Sequence, residues 1–457
     1  TGTEIGLVTV MYNAQEGFRG GFAAYHIGLL WFAGLIFVGL TGFIIRPLRA
    51  LRVMTIPEYY GLRFGTTARW LGGIILALAG ILNMGLFLQA GGRFMTAVTG
   101  LGTGWELKLM MTAMLGLVLL YTTLGGMISV VLTDYLQFVV LGTGIVAATA
   151  ISISFIGWDN MVGAVSTSYG AGGFNPIASP KYGPQYIAWM AFMGLAAGTL
   201  WQTATSRALA ARSPETAKKV YLWSSISFLA RVVLPMTWGI AALAYIKSTP
   251  HLSDAFFGPG APPEAGQYAM PVFLAQMLRP GIIGILAAGM LAAFMSTHDS
   301  YLLAWSSVIT QDVIAPLSGR ELSDRQRIRI ARIIILVTGA FLLMWGLWYE
   351  APTSLWNYMA VTGTIYLSGA FVCVALGLYW RSASRAGAIG ALLCGLLACL
   401  GLKNWTSIES LWWLTDKIIG ITTVSLSVTA MVVGSLVWPD RSPPKGLAAD
   451  ITEETDA

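Results

Sequence analysis

Residues 291–303 read LAAFMSTHDSYLL, and five polar residues, 296–300, stand there in the middle of an apolar run. The flanking stretches, GIIGILAAGM before and AWSSVITQDV after, are almost purely apolar. An unpaired polar group in hydrocarbon costs several kcal/mol, so a helix facing lipid does not carry such a run. The stretch therefore indicates a helix within a bundle, whose polar side chains face the interior or a wet cavity.

The composition of the 457 residues is typical of a membrane protein. Hydrophobic residues make up 56% of the chain and charged residues 11%, whereas soluble domains carry about 25% charged residues. Apolar runs long enough to cross a hydrocarbon core of about 30 Å recur along the whole length. We therefore predict an all-α polytopic membrane protein. The sequence has no metal-ligand cluster, nucleophile elbow or nucleotide-binding loop, so we do not expect an enzyme.

About eleven full spans and one partial first helix are predicted. Together they form a single transmembrane domain, 1–440, followed by a polar tail, 441–457. The partial helix covers 3–14. The predicted full spans are 21–45, 70–96, 107–124, 128–157, 186–208, 219–246, 271–311, 326–349, 353–380, 385–403 and 412–437.

The basic residues are distributed unequally between the two sets of loops that these spans define. Eighteen lysines and arginines lie in one set and eight in the other, and Arg231 lies within a span. By the positive-inside rule, the richer set and the tail 441–457 are cytoplasmic. The net charge of +6 thus reports topology and does not predict a nucleic-acid partner.

Ala293, Ser296 and Thr297 follow a spacing of i, i+3 and i+4, so they share one face of the predicted helix. Two hydroxyls and the carbonyl of a small residue offer the oxygen ligands that a hard cation such as Na⁺ binds. The same residues also fit a second role, in which the hydroxyls bond back to the preceding turn or help helices to pack. Spacing alone leaves both interpretations open.

Asp134 and Gln137 lie at i and i+3, about one and a half turns into a predicted span. A carboxylate at that depth fits a partner for a cation or a proton. It fits a structural ion pair with an arginine near the membrane surface equally well.

Arg231 lies several residues into its span, and Pro235 follows four residues later. The arginine fits either a contact to an anionic solute or extension toward the membrane surface. The proline lacks an N–H, so it frees a backbone carbonyl near residue 231.

Three further residues are candidates for contact with a solute. Gln89 and Arg93 are spaced at i, i+4 near the outer end of a span, where they fit an external vestibule, although Arg93 also fits an interfacial anchor. His26 is a lone histidine in an apolar span, for which packing is the alternative role.

Five stretches together resemble the sodium:solute symporter family, which includes bacterial sodium/proline and sodium/galactose symporters and the human sodium/glucose cotransporters. They occur in the order and at the spacing typical of the family, between about residues 6 and 440. The stretches are TIPEYYGLRFG (55–65), YTTLGGMISVVLTDYLQ (121–137), SRALAARSPETAKK (206–219), GILAAGMLAAFMSTHDSYLLAWSSVITQD (284–312) and LGLYWRSASRAGAIGALL (376–393).

The resemblance implies a LeuT-like bundle of two inverted five-helix repeats with extra helices. Family members hold sodium with a small residue and adjacent hydroxyl residues of the eighth core helix, and these positions fall on Ala293, Ser296 and Thr297. The aspartate of the family's TD..Q motif falls on Asp134, near a second sodium position or the ion exit path. The cation before a mid-helix proline, a lysine in the sugar symporters, falls on Arg231.

The family's AG.R motif is kept at 90–93. Two other positions depart from the family pattern. The first is Met359, which replaces a glutamine that several sugar symporters have on the tenth core helix and so argues against a sugar. The second is the beginning of the chain. Alignment of Gly6 and Tyr12 places the first residue after the unwound middle of the first core helix, so we expect an N-terminally truncated chain.

We therefore predict a sodium-coupled symporter that imports a small organic solute, with an amino acid or organic acid favoured. A sugar is the alternative solute, and a non-transporting accessory subunit of a membrane complex is the alternative function. The predicted partners are Na⁺, the solute, the lipid bilayer and other membrane subunits, without nucleic acid. The predicted location is the bacterial cytoplasmic (inner) membrane, with a cytoplasmic C-terminus.

Overall fold

The computed structural model describes residues 6–319, 322–349, 354–403, 408, 411, 413–440 and 446–448, and it describes no side chains at 124–138, 140 and 280. The described residues form helices and connecting turns, with no β-strand among them. The α-helices are α1 Leu7–Gly20, α2 Tyr25–Thr41, α3 Ile45–Ala50, α4 Ile56–Phe64, α5 Thr66–Met84, α6 Phe87–Thr99, α7 Trp105–Ile156, α8 Trp158–Tyr169, α9 Gly183–Leu200, α10 Gln202–Leu209, α11 Pro214–Ser248, α12 Pro250–Phe257, α13 Ala269–Met277, α14 Pro280–Val308, α15 Ala315–Ser318, α16 Asp324–Trp348, α17 Leu355–Tyr379, α18 Arg385–Gly395 and α19 Asp416–Val437.

Nine helical stretches of the described chain are long and apolar enough to cross a membrane. A tenth candidate is a bent pair, Leu141–Ile156 and Trp158–Gly173, whose two helices meet at 78°. The nine are Leu7–Thr41, Thr66–Thr99, Trp105–Thr123, Pro214–Ser248, Gly281–Ser318, Asp324–Trp348, Leu355–Tyr379, Arg385–Leu402 and Asp416–Val437.

The structure differs from the predicted spans at several boundaries. The predicted spans 107–124 and 128–157 both lie in α7, which is continuous over 52 residues. The gap between these two predicted spans contains Gly125 and Gly126. A glycine only weakens a helix, by about 1 kcal/mol, and the stretch has no proline to end it. The predicted span 186–208 is divided into α9 and α10.

The long helices pack as two groups around a common centre. In the first group, α11 lies along α1 and α2, and α2 also packs against α9. In the second group, α14 packs against α5, α6, α7 and α16. The helix α17 contacts α5 and α9, so it connects the two groups, and α18 and α19 pack outside it.

The contact between α1 and α11 is unusually close because both helices present glycine. A Cβ on Gly17 would lie 2.0 Å from the carbonyl oxygen of Met236. A Cβ on Gly239 would lie 1.8 Å from the carbonyl oxygen of Ala14. Small residues allow backbones to approach in this way, which is how membrane helices gain packing energy. The two helices therefore touch backbone to backbone.

Candidate functional site

The predicted sodium residues are buried on α14, with Ser296 and Thr297 on the same face as Ala293. Ser296 Oγ and Thr297 Oγ1 both donate to the Ala293 carbonyl oxygen, at 3.3 Å and 2.9 Å. A hydroxyl that donates its single proton keeps its lone pairs as acceptors. The lone pairs of both hydroxyls therefore remain available, so these hydrogen bonds to the preceding turn are compatible with cation binding.

The beginning of α1 lies directly against this face. Gly6 precedes α1, and a Cβ added there would lie 2.2 Å from Thr297 Oγ1. Only glycine leaves room for the hydroxyl at this point. The Thr297 hydroxyl therefore lies between α14 and Gly6, the residue that precedes α1.

The other polar residues of the run 296–300 also face protein. His298 is buried, and its Nδ1 donates to the Phe294 carbonyl at 2.9 Å. The Phe87 ring lies 5.5 Å from the imidazole. Asp299 accepts a hydrogen bond from the hydroxyl of Tyr121 on α7. The run thus directs polar groups toward several neighbouring helices, as expected for a helix within the bundle.

Asp134, the predicted second sodium or exit-path residue, lies in the stretch whose side chains are outside the described part of the chain, as does Gln137.

A cavity of about 80 Å³ lies between the two helix groups. It is lined chiefly by aromatic and other apolar side chains from α1, α2, α5, α9, α10, α11, α14 and α17. Tyr301 belongs to the lining and follows Thr297 by one helical turn, so the cavity adjoins the predicted ion site. The lining residues are Tyr12, Trp31, Asn83, Met190, Met193, Ala197, Gly198, Trp201, Ala204, Phe228, Arg231, Tyr301, Trp356, Met359, Ala360, Gly363 and Leu367.

Arg231 is buried, with 4% of its surface exposed, and it lines the cavity. Its guanidinium carbon lies 4.0 Å from the centre of the Phe228 ring, a cation–π contact. Its backbone carbonyl accepts a hydrogen bond of 3.5 Å from the Asn13 amide of α1. Pro235 has no N–H to offer that carbonyl, so the proline explains why α1 can reach it.

The three other candidate solute residues do not line the cavity. Gln89 donates to the backbone carbonyls of Gly346 and Tyr349, at 3.0 Å and 2.7 Å. Arg93 donates to the side chain of Gln267 and lies 5.6 Å from the Tyr268 ring centre. These contacts hold helices and connecting segments together.

His26 is also outside the cavity lining. Its Nδ1 donates to the Ala23 carbonyl at 2.6 Å, and its ring packs edge-on against Tyr182 and Tyr186. Arg231 is therefore the member of the predicted solute set that the structure brings to the cavity.

Asn83 is a cavity residue that the sequence analysis missed. It lies one residue before the end of α5, where the helix breaks before α6. A polar amide in an apolar span is itself a signal of an interior function, and this signal could have identified it. The aromatic lining residues carry no such signal, because aromatic side chains are equally common in lipid-facing positions.

A family model for the sodium:solute symporter family matches residues 1–395. The chain belongs to this family.

The individual relatives are distant in sequence, but each match covers most of this chain. The sodium/sialic acid symporter SiaT of Proteus mirabilis is 22% identical over 74% of this chain and 67% of its own length. The sodium/glucose cotransporter of Vibrio parahaemolyticus is 24% identical over 87% and 76%. The sodium/pantothenate symporter of Haemophilus influenzae is 26% identical over 88% and 83%.

A solved structure of a Na⁺-coupled sialic acid symporter in a substrate-bound outward-open state matches the fold with a TM-score of 0.76. The two chains are 20% identical, and the match covers 98% of this chain and 89% of the other. The predicted LeuT-like helical bundle is thereby confirmed. The chain is a multi-pass membrane protein and a sodium-coupled transporter of small organic solutes, as predicted, and not an enzyme.

Proposed function

We propose that this symporter imports a carboxylate-bearing solute, an amino acid or an organic acid, together with Na⁺. The observation that carries the proposal is the buried guanidinium of Arg231 in the wall of the central cavity. A guanidinium presents a planar set of donors that matches the two oxygens of a carboxylate.

The relatives include proteins named for solutes of both kinds. Sialic acid and pantothenate carry a carboxylate, whereas glucose does not, and each name belongs to a different relative. In this chain Met359 lines the cavity where several sugar symporters have a glutamine. A thioether is a poor partner for sugar hydroxyls. The methionine and Arg231 together favour a carboxylate over a sugar.

Na⁺ would bind to the Ala293 carbonyl and to the hydroxyls of Ser296 and Thr297, beside the beginning of α1. Bound there, the ion stabilises the contact between the two helix groups, and the sodium gradient then drives uptake of the solute. We also propose Asp134 as a second ion position. We place the protein in a bacterial inner membrane, with its C-terminus in the cytoplasm, because of the arginine-rich loops.

The test is uptake of radiolabelled amino acids, organic acids and sugars by the purified protein in proteoliposomes, with and without a sodium gradient. We expect sodium-dependent accumulation of a carboxylate. Arg231→Gln should raise its half-saturating concentration by about 10- to 100-fold, the loss of a charge-assisted contact, while Arg231→Lys retains part of the affinity. Accumulation of a neutral sugar, or equal uptake by the Arg231→Gln protein, would contradict the proposal.

A further inference from the structure

We propose that a cleft between α8, the end of α7 and the end of α11 binds the head group of an anionic phospholipid such as phosphatidylglycerol. The cleft shares no described lining residue with the central cavity, so its ligand does not depend on which solute the protein carries. Three properties of the cleft point to a lipid: its position at the ends of spanning helices, its charge, and the apolar surface beside it.

The cleft lies where two apolar helices end. It has a volume of about 620 Å³ and is lined by residues of α7, α8 and α11. Ile156 is the last residue of α7, and Lys247 and Ser248 are the last two of α11. The following helix, α8, turns by 78° from α7 and begins with the exposed Trp158. Tryptophan is enriched at the level of the lipid head groups, so we place the mouth of the cleft at that level.

The charge of the cleft fits a ligand with one negative group. Lys247 is the charged residue among the described lining residues, none of which is acidic. Its ammonium lies 4.0 Å from the centre of the Phe257 ring, and it makes no ion pair within the described part of the chain. A lysine at a membrane surface attracts anionic lipids. The cleft has no acidic side chain for the cationic part of a zwitterionic head group.

Hydroxyl and amide groups accompany the lysine on both sides of the cleft. Ser248 follows it on α11, and Asn160, Thr167 and Ser168 face the cleft from α8. The Ser168 hydroxyl is buried, and among the described residues it has no hydrogen-bond partner. A buried polar atom without a partner is destabilising. Since a hydroxyl can donate to a phosphate oxygen or accept from an alcohol, a phosphoglycerol head group supplies the partner that Ser168 lacks.

An exposed apolar surface continues from the cleft along α7. Phe155 lines the cleft, and Ile151 lies four residues earlier on the same face of the helix. Their exposed fractions are 54% and 43%. The Phe155 ring also packs 6.3 Å from the ring of Tyr245 on α11. This surface would contact the acyl chain of a lipid whose head group occupies the cleft, which distinguishes a lipid from a free phosphate.

A lipid in this position would contact both helix groups. The helix α11 belongs to the first group, and α7 packs against α14 in the second. A ligand that binds only the folded protein stabilises it. We therefore expect phosphatidylglycerol to raise the unfolding temperature of the purified protein more than phosphatidylcholine does.

The test is lipid binding to the purified full chain, measured by native mass spectrometry. Delipidated protein in detergent receives equal amounts of dioleoylphosphatidylglycerol and dioleoylphosphatidylcholine, whose acyl chains are identical. We expect the protein to retain phosphatidylglycerol preferentially. Lys247→Gln should reduce this retention by about fivefold, the effect of one lysine at a membrane surface, and leave phosphatidylcholine unchanged.

Two variants control for charge. Lys247→Arg keeps the positive charge and should keep the preference for phosphatidylglycerol. Lys108→Gln removes an exposed lysine that does not line the cleft, and it should bind both lipids as the wild type does. Thermal unfolding of each variant without added lipid reports whether it folds.

The binding measurement involves no transport, so its outcome is separate from that of the proposed function. Equal retention of the two lipids by the wild type would overturn the proposal, as would equal retention of phosphatidylglycerol by the Lys247→Gln and Lys108→Gln proteins. Inorganic phosphate in large excess should not displace the lipid. Displacement would show that the cleft binds anions from water and would overturn the lipid assignment.

Discussion

The hydroxyls of Ser296 and Thr297 can each make a hydrogen bond within the helix and also bind an external partner. Each donates its proton to the Ala293 carbonyl, which satisfies the hydroxyl inside an apolar helix. Each keeps its lone pairs for an external partner. The two interpretations that the spacing left open are therefore not exclusive, and the geometry permits both.

At this scale we expect Thr297→Ala to raise the sodium concentration for half-maximal uptake by about tenfold, because the variant loses one oxygen ligand. This change corresponds to roughly 1.4 kcal/mol. Thr297→Ser keeps the oxygen and should stay within about twofold of wild type. The measurement is solute uptake against sodium concentration at constant ionic strength. An unchanged sodium dependence in the alanine variant would remove Thr297 from the ion site.

Gly6 offers a second test of the same site. An added Cβ would lie 2.2 Å from Thr297 Oγ1, so Gly6→Ala must displace the hydroxyl or the beginning of α1. We expect weaker sodium dependence in this variant. Gly116→Ala is the control, because a Cβ there meets nothing within 4 Å. Equal sodium dependence of the two variants would show that α1 does not form a wall of the ion site.

Among the elements, α1 and α11 are joined by a backbone contact at Gly17 and Gly239. We expect Gly17→Ala and Gly239→Ala each to destabilise the protein by about 2 kcal/mol or more, since backbone atoms cannot move aside as a flexible side chain does. Thermal unfolding in detergent measures the effect. Gly163→Ala on α8 meets open space and is the control. Unfolding temperatures equal to that of the control would mean that α1 and α11 can move apart to fit a methyl group without loss of stability.

Helices were easier to predict from the sequence than the places where helices break. The role of Pro235 followed from its missing N–H, and the structure shows the Arg231 carbonyl accepting from Asn13 instead. The breaks after Met84 and at Trp201 have no proline to mark them. They depend on tertiary contacts such as the hydrogen bond from Trp201 Nε1 to the Tyr301 hydroxyl at 3.0 Å, which no local pattern reveals.

Across the whole molecule, Glu16 connects three distant parts of the chain. Its carboxylate accepts from Lys181 at 2.6 Å, from the Tyr182 hydroxyl at 2.9 Å and from the Ser354 hydroxyl at 3.2 Å. Burial lowers the pKa of the Lys181 ammonium, and the negative charge of Glu16 opposes this effect. The carboxylate thus holds together α1, the segment before α9 and the residue that caps α17.

We expect Glu16→Gln to destabilise the protein by about 3 kcal/mol, because it leaves the Lys181 charge without its ionised partner. The double variant Glu16→Gln with Lys181→Met removes both charges and should recover more than half of the loss. Thermal unfolding of wild type, the single variants Glu16→Gln and Lys181→Met, and the double variant forms a complete cycle. A double variant no more stable than Glu16→Gln would show that the ion pair is not the source of the effect.

The fold was predictable at this scale because five dispersed motifs occur in one order. Arg231 lies outside these motifs and was predicted from its charge within an apolar span, four residues before Pro235. The full cavity was not predictable, because eight helices contribute to it. Three residues predicted to contact the solute, Gln89, Arg93 and His26, also show why a site cannot be read from polarity alone. A polar residue within a span needs a partner, and for these three the structure supplies protein atoms.

The glycine contact between α1 and α11 has a mechanical consequence. Two backbones in direct contact have no rotamers to exchange, so these helices can shift only as a unit. Gly6, the residue that precedes α1, meets α14 at the Thr297 hydroxyl, a side chain that can move by rotation about a single bond. A movement of α1 relative to α14 would therefore displace the atoms proposed to hold sodium, and loss of the ion would loosen this contact.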